Sequence, residues 1–419
     1  MKRLLVLGAG TAGTMVVNKL RPLLSPREWE ITVVEPAKLH IYQPGLLFVP
    51  FGRYQAADLE KPTEPLLPPG VDLITEEVQR VDSEGSYVEL VSGKTISYDQ
   101  LVIATGTHPR PDMTPGMVGY QYGKTVHEFY TLDGALALRR ALEDWDGGRL
   151  VIHITELPIK CPVAPLEFAF LADDYLKQRG IRDRVDLTFV TPLSGAFTKP
   201  IASEHLGSML EQRDIRVESD FSIERIDEGA IVSYDERSIP FDLLVTVPLN
   251  MGADYVGRSG LGDELNHVKV DPFTFLATGC QNVFALGDAA ALPISKAGSV
   301  AHFAVDVFVE NFLDHIAGRP MDRKFDGHAN CFVESGAGKA LLIDFNYDTE
   351  PLPGMYPLPG IGPLSLLKET RLNHFGKLAF RHIYWHMLLP GRRLPVPTAM
   401  SMAGKYVPTA QVEREEVTL

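Results

Sequence analysis

Arg3-Leu4-Leu5-Val6-Leu7-Gly8-Ala9-Gly10-Thr11-Ala12-Gly13 opens the chain as an apolar strand running straight into a glycine turn. A helical pattern follows to about Leu24, and Ile31 to Val34 reads as a second strand ending at Glu35. A strand, a glycine turn, a helix and a strand, with an acid about 20 residues beyond the glycines, is the context a dinucleotide fingerprint requires. Gly8, Gly10 and Gly13 let the backbone approach a pyrophosphate. Thr11 and Ala12 open the helix whose N-terminus receives it, and Glu35 can accept bonds from ribose hydroxyls. Lys2 and Arg3 give this run a passing likeness to a signal peptide. It leads directly into the glycines, however, with no polar region before a cleavage site, so no cleavable leader is expected.

The 419 residues exceed one ordinary core, which points to two domains and an extension. A net charge of −14 argues against nucleic acid as a partner. No apolar run reaches the roughly 18 to 20 residues that span a bilayer. Three cysteines, Cys161, Cys280 and Cys331, are too few for a secreted disulfide framework, and their spacing fits no metal site. Their chemistry is expected to be redox or nucleophilic.

Two later segments narrow the nucleotide. Leu101-Val102-Ile103-Ala104-Thr105-Gly106 is a buried strand closing in a small-residue turn, and Val283-Phe284-Ala285-Leu286-Gly287-Asp288 is a strand ending in Gly-Asp. Both resemble segments of the two-dinucleotide-binding flavoproteins. There the first crosses back from the FAD domain, and the second sets an aspartate on the ribityl and pyrophosphate region. Between them, about Met113 to Val247 reads as an inserted α/β unit. Its first strand, Arg149 to Ile154, is followed by Thr155-Glu156-Leu157-Pro158-Ile159-Lys160-Cys161-Pro162, which holds no glycine. A turn filled with side chains cannot approach a pyrophosphate closely, so no use of NAD(P)H is expected.

Cys161 stands where that nucleotide loop is missing, beside Lys160 and just before a helix start, two features expected to lower its pKa. Cys331 comes much later, in Phe325-Asp326-Gly327-His328-Ala329-Asn330-Cys331-Phe332. The segment Lys160-Cys161-Pro162-Val163-Ala164-Pro165-Leu166-Glu167, the late cysteine, Gly287-Asp288, Lys296-Ala297-Gly298 and Leu366-Leu367-Lys368-Glu369 together resemble the sulfide:quinone oxidoreductases over nearly the whole chain. The resemblance implies a redox pair, Cys161 and Cys331, flanking an FAD. Sulfide opens its sulfur bridge by thiol–disulfide exchange, and electrons pass through the flavin to a membrane quinone. By position Cys331 is the thiol that meets the flavin and Cys161 the one carrying a growing polysulfide. Glu167 is expected as a proton acceptor, its rival reading being a glutamate at a helix start.

The resemblance further implies that Gln43, Pro44 and Val78 contact FAD and that Lys296, with Ala297 and Gly298, brings positive charge to the flavin ring. Phe332 and Lys368 match positions near the quinone. Two departures stand out. Better-known members carry a third cysteine within the equivalent of His127 to Ala135, in some bonded to the flavin. This chain has none there, so its FAD is expected to be noncovalent. A family histidine near Thr191 to Phe197 is also missing.

From Ile361 to Lys405 there are seven Lys or Arg and one acid, in an otherwise acidic protein. Phe375, Leu378, Ala379, Ile383 and Met387 recur at helical spacing, with Lys377 and Arg381 on another face and Tyr384 and Trp385 as interfacial aromatics. Residues about 361–390 are therefore expected to lie on a membrane surface, with Leu364 to Leu372 as a second helix. The expected fold class is α/β, two Rossmann-like dinucleotide-binding domains with a C-terminal amphipathic helical region. The divisions are 1–112 and 248–325 for FAD, 113–247 for the second unit and 326–419 for the quinone- and membrane-facing part. A homo-oligomer, a type II NADH:quinone oxidoreductase and a non-catalytic flavin or thiol redox sensor stay open as alternatives.

Overall fold

The opening apolar run forms a strand, Lys2–Leu7, whose last four residues are buried. It lies inside a five-stranded sheet, flanked by Trp29–Val34 and Gln100–Ile103, with Asp72–Ile74 and Val283–Ala285 at the edges. Every pairing in this sheet is parallel. Near-continuous apolar character is what strands covered on both faces require. Helix α1 (Thr11–Leu20) follows the glycine turn and covers one face through Met15, Val16, Val17 and Leu20. The structure is a computed structural model and describes residues 1–358 and 360–407.

A second parallel five-stranded sheet runs in the order Val126–His127, Leu243–Val247, Gly148–Ile154, Val185–Val190, Arg216–Glu218. Helix α2 (Leu132–Asp144) is capped by Thr131, whose hydroxyl accepts from the Gly134 amide at 3.0 Å. Helix α3 (Ala164–Gln178) is the most enclosed of this unit, buried along Ala164 to Asp173. Helix α4 (Pro200–Glu211) completes the layer.

Helix α5 (Gly298–Ile316) then packs against α1 and leads to a four-stranded sheet ordered Ala329–Gly336, Lys339–Phe345, Gly362–Leu366, Gly354–Leu358. Thr370 caps helix α6 (Arg371–Ile383) by accepting from the Asn373 amide, and the helix runs on through a π-helical turn, Tyr384–Leu388. The second helix expected over Leu364 to Leu372 is not formed. Those residues enter a strand, because Leu364 and Leu366 alternate with Pro363 and Ser365 at a period of two and pair with Gly354–Tyr356. The last part of the 326–419 division, residues 408–419, lies outside the described residues. Among those described, no helix is long and apolar enough to cross a membrane.

Candidate thiol and flavin site

The glycine turn is shaped for a pyrophosphate. A Cβ on Gly13 would stand 1.9 Å from the Gly8 carbonyl oxygen, and one on Gly8 would stand 2.5 Å from that of Ala104, so only glycine fits at either position. Gly10 faces open space instead, and α1 begins with no side-chain cap and no acid in its first turn. Its amide donors are thus free to meet an anion. Glu35 braces the turn, accepting from the Ala9 and Ala37 amides at 2.8 Å each. Thr11 and Ala12 occupy the first turn of α1, and Gly287 packs on it, its α-carbon side 3.0 Å from the Ala12 methyl for an added Cβ. Ala104, Thr105 and Gly106 close the neighbouring strand, and the Thr105 hydroxyl is 3.1 Å from that of Tyr255.

Lys296 is buried rather than solvated, and its ammonium donates to the carbonyls of Asp288, at 2.8 Å, and Ala290, at 3.2 Å. Burial pulls the Lys296 pKa down and pushes that of Asp288 up, each opposed by the charge of the other. Ala297 and Gly298 follow at the start of α5. Gln43 and Pro44 begin a short 3-10 helix and are exposed, and Val78 is half-buried at the start of the Val78–Asp82 strand.

Cys161 sits in left-handed backbone, φ 47°, a conformation that costs on the order of 1 kcal/mol for a residue with a Cβ. The loop is fixed there by the Cys161 amide donating to the Lys296 carbonyl at 2.6 Å and by the Tyr130 hydroxyl donating to the Cys161 carbonyl at 3.3 Å. Cys331 lies on the Ala329–Gly336 strand. Both thiols are free, and both pack against the same core. They share electrostatic surroundings: Glu167 and Lys377 act on each, and Cys331 acts on Cys161. Cys280 packs against a different cluster, away from this site.

The expected depression of the Cys161 pKa is not what the structure gives. Burial, then Glu167, pushes Cys161 well up, and burial, then Glu167, pushes Cys331 up to about 12. The α3 N-terminus and Lys160 are outweighed by loss of water, and the Lys160 ammonium serves Asp288 and Glu128 instead. The lysine that favours the thiolates is Lys377 of α6.

Lys377 reaches Glu167, with which it forms an ion pair, and also donates to the Phe332 carbonyl at 3.1 Å. Glu167 further accepts from the Glu334 amide at 2.7 Å, while its other oxygen is buried without a partner. Burial raises the Glu167 pKa against the pull of Lys377. Burial alone would lower that of Lys377, yet Glu167, Cys161 and Glu334 hold it above the ordinary range. The Glu334 carboxylate, wholly enclosed, bonds to His374 Nδ1 at 2.9 Å. Sequence reasoning missed Glu334 and His374 and took Lys377 for a solvated basic face.

Phe332 is half-buried, its ring filling the space above Gly376. Lys368, expected near the quinone with it, is exposed in the turn before α6, and it is Lys377 that donates to the Phe332 carbonyl. The interfacial aromatics are likewise corrected. Tyr384 and Trp385 are buried, with the Tyr384 hydroxyl 2.8 Å from that of Thr11 and 2.6 Å from His40 Nε2. Arg381 pairs with Asp58 at 3.2 Å, both side chains being partly exposed. The outward face of α6 carries Leu372 and Phe375, next to exposed Leu358 and Ile361 on the preceding hairpin.

The sequence profile of the Pyridine nucleotide-disulphide oxidoreductase family matches residues 2–154. A mitochondrial sulfide:quinone oxidoreductase of Dictyostelium discoideum is 27% identical over 93% of this chain and 86% of its own. The crystal structure of the sulfide:quinone oxidoreductase of Aquifex aeolicus superposes with a TM-score of 0.80 over 100% of this chain and 96% of that one, at 22% identity. A type II NADH:quinone oxidoreductase of Staphylococcus haemolyticus is 33% identical, but over only 34% of each chain. Fold and cradle therefore define an FAD-binding flavoprotein of the two-dinucleotide-domain, disulfide-reductase-like class. Within that class the chain is a relative of the sulfide:quinone oxidoreductases.

Proposed function

We propose that the protein oxidises sulfide to polysulfide or sulfur through Cys161 and Cys331 and delivers the electrons to a membrane quinone. The observation that carries this reading is that two thiols, far apart in sequence, pack against the same core and feel the charges of the same Glu167–Lys377 pair. The loop holding Cys161 replaces a nicotinamide-binding turn, and the span of the sulfide:quinone relatives over the whole chain speaks in the same direction.

In this reading hydrosulfide attacks one sulfur of the oxidised pair. A new S–S bond forms on Cys161, the bridge breaks, and its electron pair stays on Cys331 as a thiolate. Lys377 stabilises that negative charge, and Glu167 takes a proton from the incoming sulfide or its persulfide. The glycine turn, Glu35 and Asp288 would hold FAD noncovalently, and the flavin would supply a two-electron carrier between the thiol pair and quinone. The outward face of α6, with the exposed Leu358 and Ile361, rests on the membrane, where a quinone tail dissolves. Stopped-flow absorbance of the flavin after adding sulfide, followed by quinone, tests the function directly. Bleaching by sulfide and reoxidation by quinone are expected; bleaching by NADH alone would overturn the reading in favour of a type II dehydrogenase.

A further inference from the structure

Helix α6 and its π-helical turn, residues 371–388, contain no Asp or Glu, in a chain whose net charge is −14. Of the seven Lys and Arg between Ile361 and Lys405, three are taken by acids: Lys377 by Glu167, Arg381 by Asp58 and Lys405 by Asp344. What remains outward is ordered along one line. The exposed positions of 371–388 are Arg371, Leu372, Phe375, Ala379, His382 and His386. From Leu372 onward they step by three and four residues, the spacing of a single helical stripe. Its first half is apolar, at Leu372 and Phe375, and its second half ends in two histidines.

The histidine end gathers cations. The ring centres of His382 and His386 lie 4.4 Å apart. Lys61 stands over the Trp385 ring at 4.6 Å, and the Arg392 amide donates to the Met387 carbonyl at 2.9 Å, which sets Arg392 beside the turn. The charged groups acting on His386 are His382, Lys61 and Arg392, all of them basic, while Asp58 nearby is held by Arg381. A slight loss of water, then these neighbours, keeps the His386 pKa below its ordinary value. Two imidazolium rings this close repel, and an anion set against both turns that repulsion into attraction.

We propose that this stripe is a docking surface for anionic phospholipid, an inference that rests on the reading of α6 as the membrane-facing helix. Leu372 and Phe375 enter the acyl boundary, and His382, His386, Lys61 and Arg392 meet lipid phosphates. The occupant follows from charge. A protein of net charge −14 is repelled as a whole by an anionic bilayer, so an acid-free cationic edge decides which face lands. The histidines make the contact depend on pH. Lowering pH through their range charges them, and each charge at the surface adds roughly fivefold to affinity. Lipid phosphates favour the charged rings in return, so docking takes up protons.

The test is flotation of the full-length FAD-loaded protein with vesicles of phosphatidylcholine alone or mixed with phosphatidylglycerol, at about pH 6 and about pH 8. The protein should bind the mixed vesicles roughly 5- to 25-fold more tightly at the lower pH, and the neutral ones weakly at both. His382→Gln/His386→Gln should abolish that rise while sulfide bleaches the flavin as fast as before. Arg392→Gln should weaken binding to the mixed vesicles by roughly fivefold at both pH values, because a guanidinium keeps its charge throughout. Equal binding to neutral and anionic vesicles, or an undiminished pH response in the histidine variant, would overturn the headgroup inference and leave the membrane reading standing. Binding to neither kind of vesicle would reject the membrane reading, and this inference with it.

Discussion

Lys377 of α6 and Glu167 of α3 form a nearly solvent-free ion pair whose charges act on two thiols from different parts of the chain. This pair joins the C-terminal helix to the second dinucleotide unit and sets the charge that both sulfurs experience. Removing one partner strands the other. Lys377→Met should lower stability by about 3 to 5 kcal/mol, read by denaturant unfolding of the FAD-loaded protein, because Glu167 is left without its cation. The double variant Lys377→Met/Glu167→Gln should recover part of that loss.

Cys161→Ser and Cys331→Ser should each abolish flavin bleaching by sulfide while leaving flavin content unchanged. Cys280→Ser should leave the rate within about twofold, since Cys280 packs against another core cluster. Rapid-mixing absorbance of the three variants checks this.

Gly13→Ala should empty the protein of FAD. The added methyl meets the Gly8 carbonyl oxygen at 1.9 Å, and the turn must open to admit it. The ratio of flavin to protein absorbance after purification measures the loss. Acid precipitation of the unaltered protein should give a colourless pellet and a yellow supernatant, as no cysteine lies between His127 and Ala135 to hold the flavin covalently.

Acid should destabilise the fold in a defined window. Burial lowers the pKa of His40 to about 4, of His153 to about 3 and of His302 to about 4. The unfolded chain takes up these protons near 6.5, so stability present above that pH is lost as pH falls through the native values. Unfolding free energy should therefore fall steeply between about pH 6.5 and 4, and His153→Asn should flatten part of that slope. A curve with no such fall would contradict the burial of these rings.

Phe375→Glu combined with Ile361→Glu should release the protein from anionic vesicles in a flotation assay while sulfide still bleaches the flavin. Both side chains are exposed, at 61% and 74%, and neither touches the thiol site. Continued flotation would move the membrane contact elsewhere.

The cradle was legible in the sequence because its grammar is local. A strand, a glycine turn and a helix start specify one another within a few residues, and the loss of glycines after Ile154 shows as plainly as their presence after Leu7. The charge environment of the thiols was not legible. Helical spacing assigned Lys377 and Arg381 to a common face, and composition made that face wet. Glu167 is what draws Lys377 inward, and it arrives from a helix distant in sequence. The same blindness placed Tyr384 and Trp385 at an interface, whereas both are buried. The direction of the Cys161 shift failed for a related reason: neighbours in sequence were counted, while the water removed by the surrounding fold was not.

The Tyr384 hydroxyl, shared by Thr11 and His40, has a practical outcome for handling this protein. Cutting the chain ahead of α6 to remove its exposed apolar side chains would also tear out a strut of the phosphate cradle. Solubilisation by truncation and retention of cofactor are thus incompatible goals here. Exchanging the outward-facing side chains one at a time leaves that strut in place.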